Sequence, residues 1–450
     1  MRAQCFPLAL AAAVFLARGL SAQQTAAPSP AGSSPVSTSL VPSDELNKEL
    51  PKWLRFSGEY RGRAEGFTGA GFKPDVDDDY WLSRLRLNMK IQPTDWLKFG
   101  FQAQDARVFG KDQSPAAPPY QNTMDLRLAY IEIGDAEKKS FGLRVGRQEL
   151  AFGEERLIGN VNWVNTARSF DAVRATLRRG KYRLDAFASS VVVAKDGSFD
   201  HSQAGSDLHG LYGGMENVVP GSTIEPYVFW RLARAVVSEE GTPSHLNFKT
   251  VGFRWVGKLP LHFDYGAEVA GQIGSLGADN VGAWAGHWLA GYTLANLRYK
   301  PRLVAEYNFA SGDKNPRDGA RGTFDQLYPT GHDKLGLADQ VGWRNIHHVR
   351  AGVEFRPQAK LLVIGKYNAY WLDSARDALY NAAGAAVARV ADGSAGKYVG
   401  QEADFQSVYT FSRQLQFGGG YARMAPGTFL KKATPGASYN YPYMLFTYLF

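Results

Sequence analysis

The sequence is short of cysteine and of long apolar stretches. Cys5 is the only cysteine among 450 residues. Because a disulfide needs two cysteines, no disulfide within one chain can hold this fold together. No stretch approaches the run of about 20 apolar residues that a membrane-spanning helix needs, which argues against a helical membrane protein.

Catalytic and metal-binding signatures are also missing. The sequence has no GxSxG, HExxH, CxxC or phosphate-binding loop, and none of its eight histidines form a pair with metal-ligand spacing. His347 and His348 are adjacent, so only one of them can face outward from a strand. We therefore expect no enzyme, no metal and no cofactor.

Charge constrains the function only weakly. The chain carries 51 Lys+Arg and 43 Asp+Glu, a formal net charge of +8. This balance is mildly basic for so long a chain, and the position of the charges should matter more than their sum. We expect no nucleic-acid partner.

The amino-terminal residues have the pattern of an export signal. Arg2 supplies a positive charge, residues 6–16 are mostly apolar, and Leu20-Ser21-Ala22 matches a small-residue cleavage site. The following residues are small, polar and rich in proline, and a single helical turn is predicted over 43–47. The predicted parts are a signal peptide at 1–22, a flexible periplasmic leader at 23–50 and one β-domain at 51–450.

The dominant feature of that domain is a two-residue period. In LRFSGEYRGRAEGF (54–67), Leu54, Phe56 and Tyr60 fall on one side of an extended chain and charged residues on the other. RLRLNMKI (84–91) has the same period. The segment 124–133 slips phase, which predicts a β-bulge. The pattern predicts about 18 strands between residues 53 and 450.

The connections between these strands alternate in length. Turns such as 93–95 and 179–181 are tight, whereas linkers such as 109–123, 150–168, 312–346 and 373–401 are long. An antiparallel meander closed into a cylinder produces this alternation when all short turns lie at one rim. The sequence therefore predicts an all-β, transmembrane, antiparallel up-and-down β-barrel with short periplasmic turns and long extracellular loops, in the outer membrane of a Gram-negative-type bacterium.

The last strand supports this prediction. Met444, Phe446, Tyr448 and Phe450 follow one another at two-residue intervals. The pattern resembles the strand by which the barrel-assembly machinery of bacteria recognises its substrates, so we expect that machinery to bind through Phe450. A soluble secreted β-protein is the alternative, but its long strands should lead into a continuous core, whereas here one face holds charges throughout.

About 18 strands enclose more space than side chains fill, so we expect an aqueous lumen. Arginine is frequent on the predicted inner face. Guanidinium keeps its charge and binds carboxylate in two-point geometry, so rings of arginine select anions. The alternative for any single arginine is an internal salt bridge with an acid such as Glu59, Glu65, Asp125, Glu132 or Asp185.

The densest charged stretch is 143–174, where both signs lie close together. Mixed charge suits the passage of a polyanion, because arginines hold carboxylates while acids keep that hold reversible. The charged residues of this stretch include Arg144, Arg147, Glu149, Glu154, Glu155, Arg156, Asp171 and Arg174.

Several motifs together resemble the alginate-export family of outer-membrane barrels. They are RLRLN (84–88), QAQDARVF (102–109), DLRLAYIEIG (125–134), LRVGRQELAFGEERL (143–157), ARSFDAVR (167–174), AEYNFASGD (305–313) and FDQLYPT (324–330). The resemblance covers most of residues 53–450 and implies an 18-stranded monomer with an arginine-rich constriction that passes a uronate polymer. The candidate pore-lining residues from the motifs and the charged stretch are Arg84, Arg127, Arg144, Arg147, Glu154, Arg156, Asp171 and Arg174, and Arg350 of HHVRAGVEF (347–355) is added to them.

Several alternatives stay open at this point. The substrate is an acidic polysaccharide such as alginate or another anionic solute, and a general or small-acid-specific porin is the main competitor, ahead of a passive structural barrel. No plug domain is evident, so passive diffusion is the expected mode. The 312–346 linker either folds inward as a gate or lies on the surface, and residues 376–389 predict a short helix.

Overall fold

The computed structural model describes residues 42–135, 137, 140–238 and 241–450. The predicted signal peptide and most of the predicted leader lie outside these residues. Helix α1 (Pro42–Glu49) forms where a helical turn was predicted. Its Asn47 side chain exchanges two hydrogen bonds with the backbone of Phe56, which attaches the helix to the first strand. Within the described ranges, no helix has both the length and the apolar character needed to cross a membrane.

The rest of the described chain is built almost entirely from strands. In chain order they are β1 (Leu54–Thr68), β2 (Asp77–Thr94), β3 (Leu97–Phe109), β4 (Asn122–Gly134), β5 (Phe141–Gln148), β6 (Phe170–Arg179), β7 (Tyr182–Val193), β8 (His201–Glu216), β9 (Ser222–Val237), β10 (Pro243–Lys258), β11 (Phe263–Leu276), β12 (Asp279–Thr293), β13 (Arg302–Ala310), β14 (Ala320–Arg321), β15 (Ile346–Gln358), β16 (Leu361–Trp371), β17 (Leu379–Tyr380), β18 (Ala386–Ala388), β19 (Tyr398–Thr410), β20 (Leu415–Pro426) and β21 (Tyr439–Leu449). A 3₁₀ turn (Ala70–Phe72) follows β1, and helix α2 (Thr428–Ala433) precedes β21.

Eighteen of the described strands form one closed barrel. Each pairs antiparallel with the barrel strands that come before and after it in the chain. The three short strands β14, β17 and β18 lie within loops and are not counted among the eighteen. β1 closes the cylinder by pairing with β21, which places Ala64 opposite Met444. Each of the predicted strands has a counterpart here, and the predicted up-and-down barrel is confirmed. The predicted alternation of short and long connections has exceptions. A two-residue turn, for example, joins β11 to β12 at the rim where the long loops lie.

The predicted bulge is present in β4. Leu128 lies opposite Gln102 and Leu126 opposite Ala103, so Arg127 is the extra residue of the pair. Before the bulge the exposed, outward residues are the even-numbered Met124 and Leu126. After it they are the odd-numbered Ile131 and Ile133. The phase slip in the sequence therefore marks a real change of face.

Two details of the prediction are wrong. β8 begins at His201 rather than at 209, because its first residues are polar on both faces and carry no apolar period. The helix predicted over 376–389 is absent, and β17 and β18 form a small hairpin there. The Asn381 side chain accepts hydrogen bonds from the backbone of Ala383 and Ala385, and this turn overrides the helical propensity of the alanines.

The polarity of the wall is the reverse of that of a soluble protein. On β2 the outward residues Trp81 and Leu87 are 37% and 48% exposed, whereas the inward Arg84 is 1% exposed. Apolar side chains face out and charged side chains face in on the same strand, as a transmembrane barrel requires.

Two long loops fold into the barrel from the long-loop rim. Loop A (149–169) joins β5 to β6, and loop B (311–345) joins β13 to β15. They meet at a parallel bridge between Ile158 and Tyr328, and apolar residues of both loops are buried in one core. The inward folding of the 312–346 linker is confirmed, and its role as a gate stays a prediction.

The pairing of β1 with β21 predicts a crosslink across the closure. Antiparallel partners lie about 4.5–5.5 Å apart between Cα atoms, which suits a disulfide. We expect the Ala64→Cys, Met444→Cys double variant, in a Cys5→Ser background, to form an internal disulfide that accelerates non-reducing gel migration of the denatured chain. Pairing Ala64→Cys with Ala369→Cys on β16 should give no such shift, and a shift in that control alone would contradict the closure.

Candidate functional site

A group of arginines covers the inner face of the first strands. We define the cationic wall as Arg61 and Arg63 on β1, Arg84 and Arg86 on β2, and Arg127 on β4, all of which are buried. The register of β1 and β2 sets Arg61 opposite Arg84. Alternation along each strand brings these side chains to one face, so five guanidinium groups are concentrated in one part of the lumen.

Carboxylates neutralise part of this charge. Arg84 Nε donates to Glu59 Oε1 at 3.0 Å, and Arg63 Nε lies 2.8 Å from Glu65 Oε1. Arg127 forms an ion pair with Glu149 at the start of loop A. The salt-bridge alternative therefore applies to these arginines. In the described part of the chain, the hydrogen-bond acceptors of Arg61 are backbone carbonyls of 162–164 and one amide oxygen, so its charge has no carboxylate partner.

The cationic wall also anchors loop A. Arg61 Nη1 and Arg84 Nη1 both donate to the Asn162 carbonyl at 2.9 Å, and Arg86 Nη1 donates to Asn162 Oδ1 at 2.7 Å. The Trp163 ring lies between the Arg63 guanidinium, at 4.1 Å, and the His332 ring of loop B, at 3.9 Å. The wall thus holds both infolded loops in place.

A second charged group, the central cluster, connects loop A to the opposite wall. Arg156 Nη2 donates to Glu306 Oε1 at 3.0 Å, and Arg350 Nη1 donates to Glu306 Oε2 at 3.2 Å. Glu154 Oε1 lies 3.3 Å from Arg254 Nη2. Burial alone would raise the pKa of Glu154, but Arg156, His287 and Arg254 together bring it below its ordinary value. Glu154 is therefore ionised at any working pH.

Loop B adds a lysine to this cluster. The Lys334 ammonium has no hydrogen-bond or ion-pair partner among the residues that the structure describes. Burial together with Arg156 lowers its pKa, against the attraction of Glu154, Asp333 and Glu155. Its neighbour Asp333 is paired with Lys366; burial would raise the Asp333 pKa, but Lys366 and Arg350 lower it to about 2. Lys334 and Arg156 line a cavity of about 10 Å³ between the loops, room for about one water.

Seven of the nine predicted site residues point into the barrel or lie in loop A within it. Arg84 and Arg127 belong to the cationic wall, and Glu154, Arg156 and Arg350 belong to the central cluster. The other two form separate pairs on the inner face: Arg144 with Glu132, and Arg174 with Asp185, with Arg174 Nε 2.9 Å from Asp185 Oδ1. Whether these groups contact a substrate stays a prediction.

Arg147 and Asp171 have a different position. They pair with each other, with Arg147 Nε 2.9 Å from Asp171 Oδ1. On β5 and β6 they alternate with lumen-facing residues and share the side of Val145 and Val173, which are 43% and 46% exposed on the outer wall. Their predicted role as pore lining finds no support in this position.

Sequence reasoning missed several members of the central cluster. Arg254, Glu306 and Lys366 lie on strands, where they occupy inward positions that strand alternation could have indicated. Lys334 lies in an irregular loop, where no period reveals the direction of a side chain. Its position depends on how loop B folds into the barrel.

Comparisons with known proteins agree with this architecture. The family model for alginate export matches residues 52–443. No curated protein matches the sequence significantly. Solved structures with a similar fold include OccD3 (OpdP) of Pseudomonas aeruginosa, with 14% identity, 89% of this chain and 92% of that chain covered and a TM-score of 0.58. OccAB2 of Acinetobacter baumannii has 12% identity, coverages of 88% and 98% and a TM-score of 0.59. At these identities the likeness concerns the fold alone.

The buried pair of Arg84 and Glu59 predicts a stability effect. Removing the guanidinium leaves Glu59 without its main partner and releases a contact to loop A, so Arg84→Gln should lower the free energy of unfolding by about 3 kcal/mol. Urea unfolding in micelles, followed by tryptophan fluorescence, measures this. The control is Arg107→Gln, which breaks an outward pair with Asp105 in which Arg107 is 48% exposed and should cost less than about 1 kcal/mol. Equal losses in both variants would contradict the anchoring role of the cationic wall.

Proposed function

Since the chain belongs to the alginate-export family of outer-membrane channels, we propose that its barrel passes an anionic polymer. The substrate is a uronate-containing polysaccharide such as alginate, and it moves by passive diffusion through a constriction lined by arginine and lysine. The constriction lies where loops A and B meet the cationic wall and the central cluster.

The observation that carries this proposal is the cationic charge that the described acids leave unpaired. Lys334 has no partner for its ammonium in the described ranges, and Arg61 donates to neutral oxygens rather than to a carboxylate there. Cations held in a low-dielectric wall raise the local concentration of mobile anions. A substrate carboxylate would supply the direct ionic contact that no described acid makes with either cation.

The neighbouring ion pairs make such binding reversible. Arg156 and Arg350 share Glu306, so a substrate carboxylate must compete with a fixed one for each guanidinium. Conduction needs sites that hold an ion weakly and repeatedly rather than one strong site. The paired arginines thus give a series of weak sites, with Lys334 among them as a cation that no described acid contacts directly.

A small-acid-specific porin is the second candidate. It is favoured by the contact between the two infolded loops, which meet at the bridge of Ile158 with Tyr328. Main-chain hydrogen bonds join Tyr328 to Leu157 and Gly159, and Thr330 to Glu155, so a polymer that passes between the loops would have to separate them. A small acid would need a smaller displacement.

Planar-bilayer conductance separates these candidates. We expect the purified protein to prefer anions in a reversal-potential measurement, and polyuronate to block its current while neutral dextran of equal length does not. A small-acid porin would keep the anion preference but show no block by polyuronate. A cation preference would contradict both candidates.

Lys334→Gln tests the unpaired cation directly. One charge roughly 10 Å from the ion path, screened over one Debye length, changes the ratio of anion to cation permeability by about threefold. The variant lacks this charge, so its permeability ratio should fall by that factor. Arg107→Gln, which removes a cation from the outer wall near the same rim, should leave the ratio unchanged. The same ratio for Lys334→Gln and the unaltered protein would place the selectivity elsewhere in the lumen.

A further inference from the structure

The outer wall carries a groove that the channel function does not use. It has a volume of about 510 Å³ and crosses strands β6 to β10. Two neighbouring rows of outward residues form it, and the strand register links each row across the wall. The upper row is Val173, Ala188, His209, Trp230 and Lys249, and the lower row is Ala175, Ala186, Leu211, Val228 and Val251.

The depth of the groove comes from a change in side-chain size along these rows. Ala175, Ala186 and Ala188 form a shallow floor on β6 and β7, while Leu211 and Trp230 rise beside it on β8 and β9. The rows cross four strand spacings, a length of about 19 Å at about 4.8 Å each. One leaflet of a bilayer has acyl chains of about 15 Å, half of the hydrocarbon core. The groove therefore has the length of one acyl chain.

The level of the groove in the membrane follows from the row above it. That row is polar except for Leu232 on β9, and it marks the upper limit of the apolar band on this side of the barrel: Arg147, Asp171, Ser190, Asp207, Leu232 and Asn247. Lys249 lies nine residues before Lys258, the end of β10 at the short-turn rim. With a rise of about 3.4 Å per residue and a strand tilt of about 40°, it stands about 23 Å above that rim. The apolar band of such barrels is about 25 Å tall, so Lys249 lies at its outer boundary.

Lys249 and His209 are out of place on a lipid-facing wall. Lys249 Nζ lies 5.7 Å from the centre of the Trp230 ring and has no ion-pair partner in the described part of the chain. His209 Nδ1 is buried without a hydrogen-bond partner among the described residues. Of the acids in this row, Asp171 is paired with Arg147, and Asp207 accepts a hydrogen bond from Ser190. The upper end of the groove therefore presents, at headgroup level, a lysine that forms no ion pair with the described residues.

From this geometry we propose that the groove binds one acyl chain of a membrane lipid whose phosphate headgroup carries a net negative charge. The chain lies over the alanine floor and descends toward Ala175. The phosphate pairs with Lys249 at the boundary of the apolar band, where a lysine and an anionic lipid attract each other. This lipid site is separate from the lumen and does not depend on what the channel passes.

Native mass spectrometry in detergent tests the site with two probes of equal chain length, dimyristoyl phosphatidic acid and dimyristoyl phosphatidylcholine. We expect the unaltered protein to retain phosphatidic acid about fivefold better than phosphatidylcholine, the ratio for one cation near an anionic headgroup. Lys249→Ala should make retention of the two lipids equal. Ala188→Trp, which fills the floor, should abolish retention of both at this site.

The matched control is Ala369→Trp, an alanine-to-tryptophan change on the outward face of β16, away from the groove. It should leave lipid retention unchanged, and unheated gel migration confirms that each variant is folded. Equal retention of the two lipids by the unaltered protein, unchanged retention by Ala188→Trp, or an equal loss in Ala369→Trp would each overturn the proposal.

Discussion

In a bilayer, a backbone N–H or C=O without a partner costs several kcal/mol, and the pairing of β1 with β21 is what leaves this sheet without an open edge. Everything else in the structure depends on that closure. Once the sheet is a cylinder, the two sides of each strand meet two different solvents, lipid and water. The two-residue period then places Trp81 and Leu87 outside and Arg84 inside on the same strand. The closure therefore creates the polar interior in which all the charged groups are found.

Those charged groups act in two ways. Most of the arginines hold the structure together, since Arg61, Arg84 and Arg86 bind the backbone and side chain of loop A, and Arg156 and Arg350 join that loop to the far wall through Glu306. An arginine that is neutralised by a fixed acid contributes little to the attraction of a mobile anion. The selectivity that we propose therefore depends on the few cations without such a partner. The number of arginines in the lumen is a poor guide to which of them matters.

The candidate site was predictable to the extent that it lies on regular strands. Alternation placed Arg84, Arg127, Arg144 and Arg174 on the inner face, and the structure has them there. Arg147 and Asp171 come from the same charged stretch but lie on the other side of their strands. Strand alternation gives their direction, because they share the parity of the outward Val145 and Val173. Lys334 was not predicted, because a loop has no period from which to infer direction.

The sequence by itself determined the barrel, its strand number, the bulge in β4 and the separation of lipid-facing from water-facing residues. It could do so because these features follow from a local two-residue period that is written along each strand. Only the tertiary structure decided that loops A and B fold inside, which acid neutralises which arginine, and which cation has no described partner. Those contacts join residues that are far apart in the chain, such as Arg156 with Glu306 and Arg61 with Asn162. They depend on where two irregular loops settle within a closed cylinder, and no local pattern encodes that position.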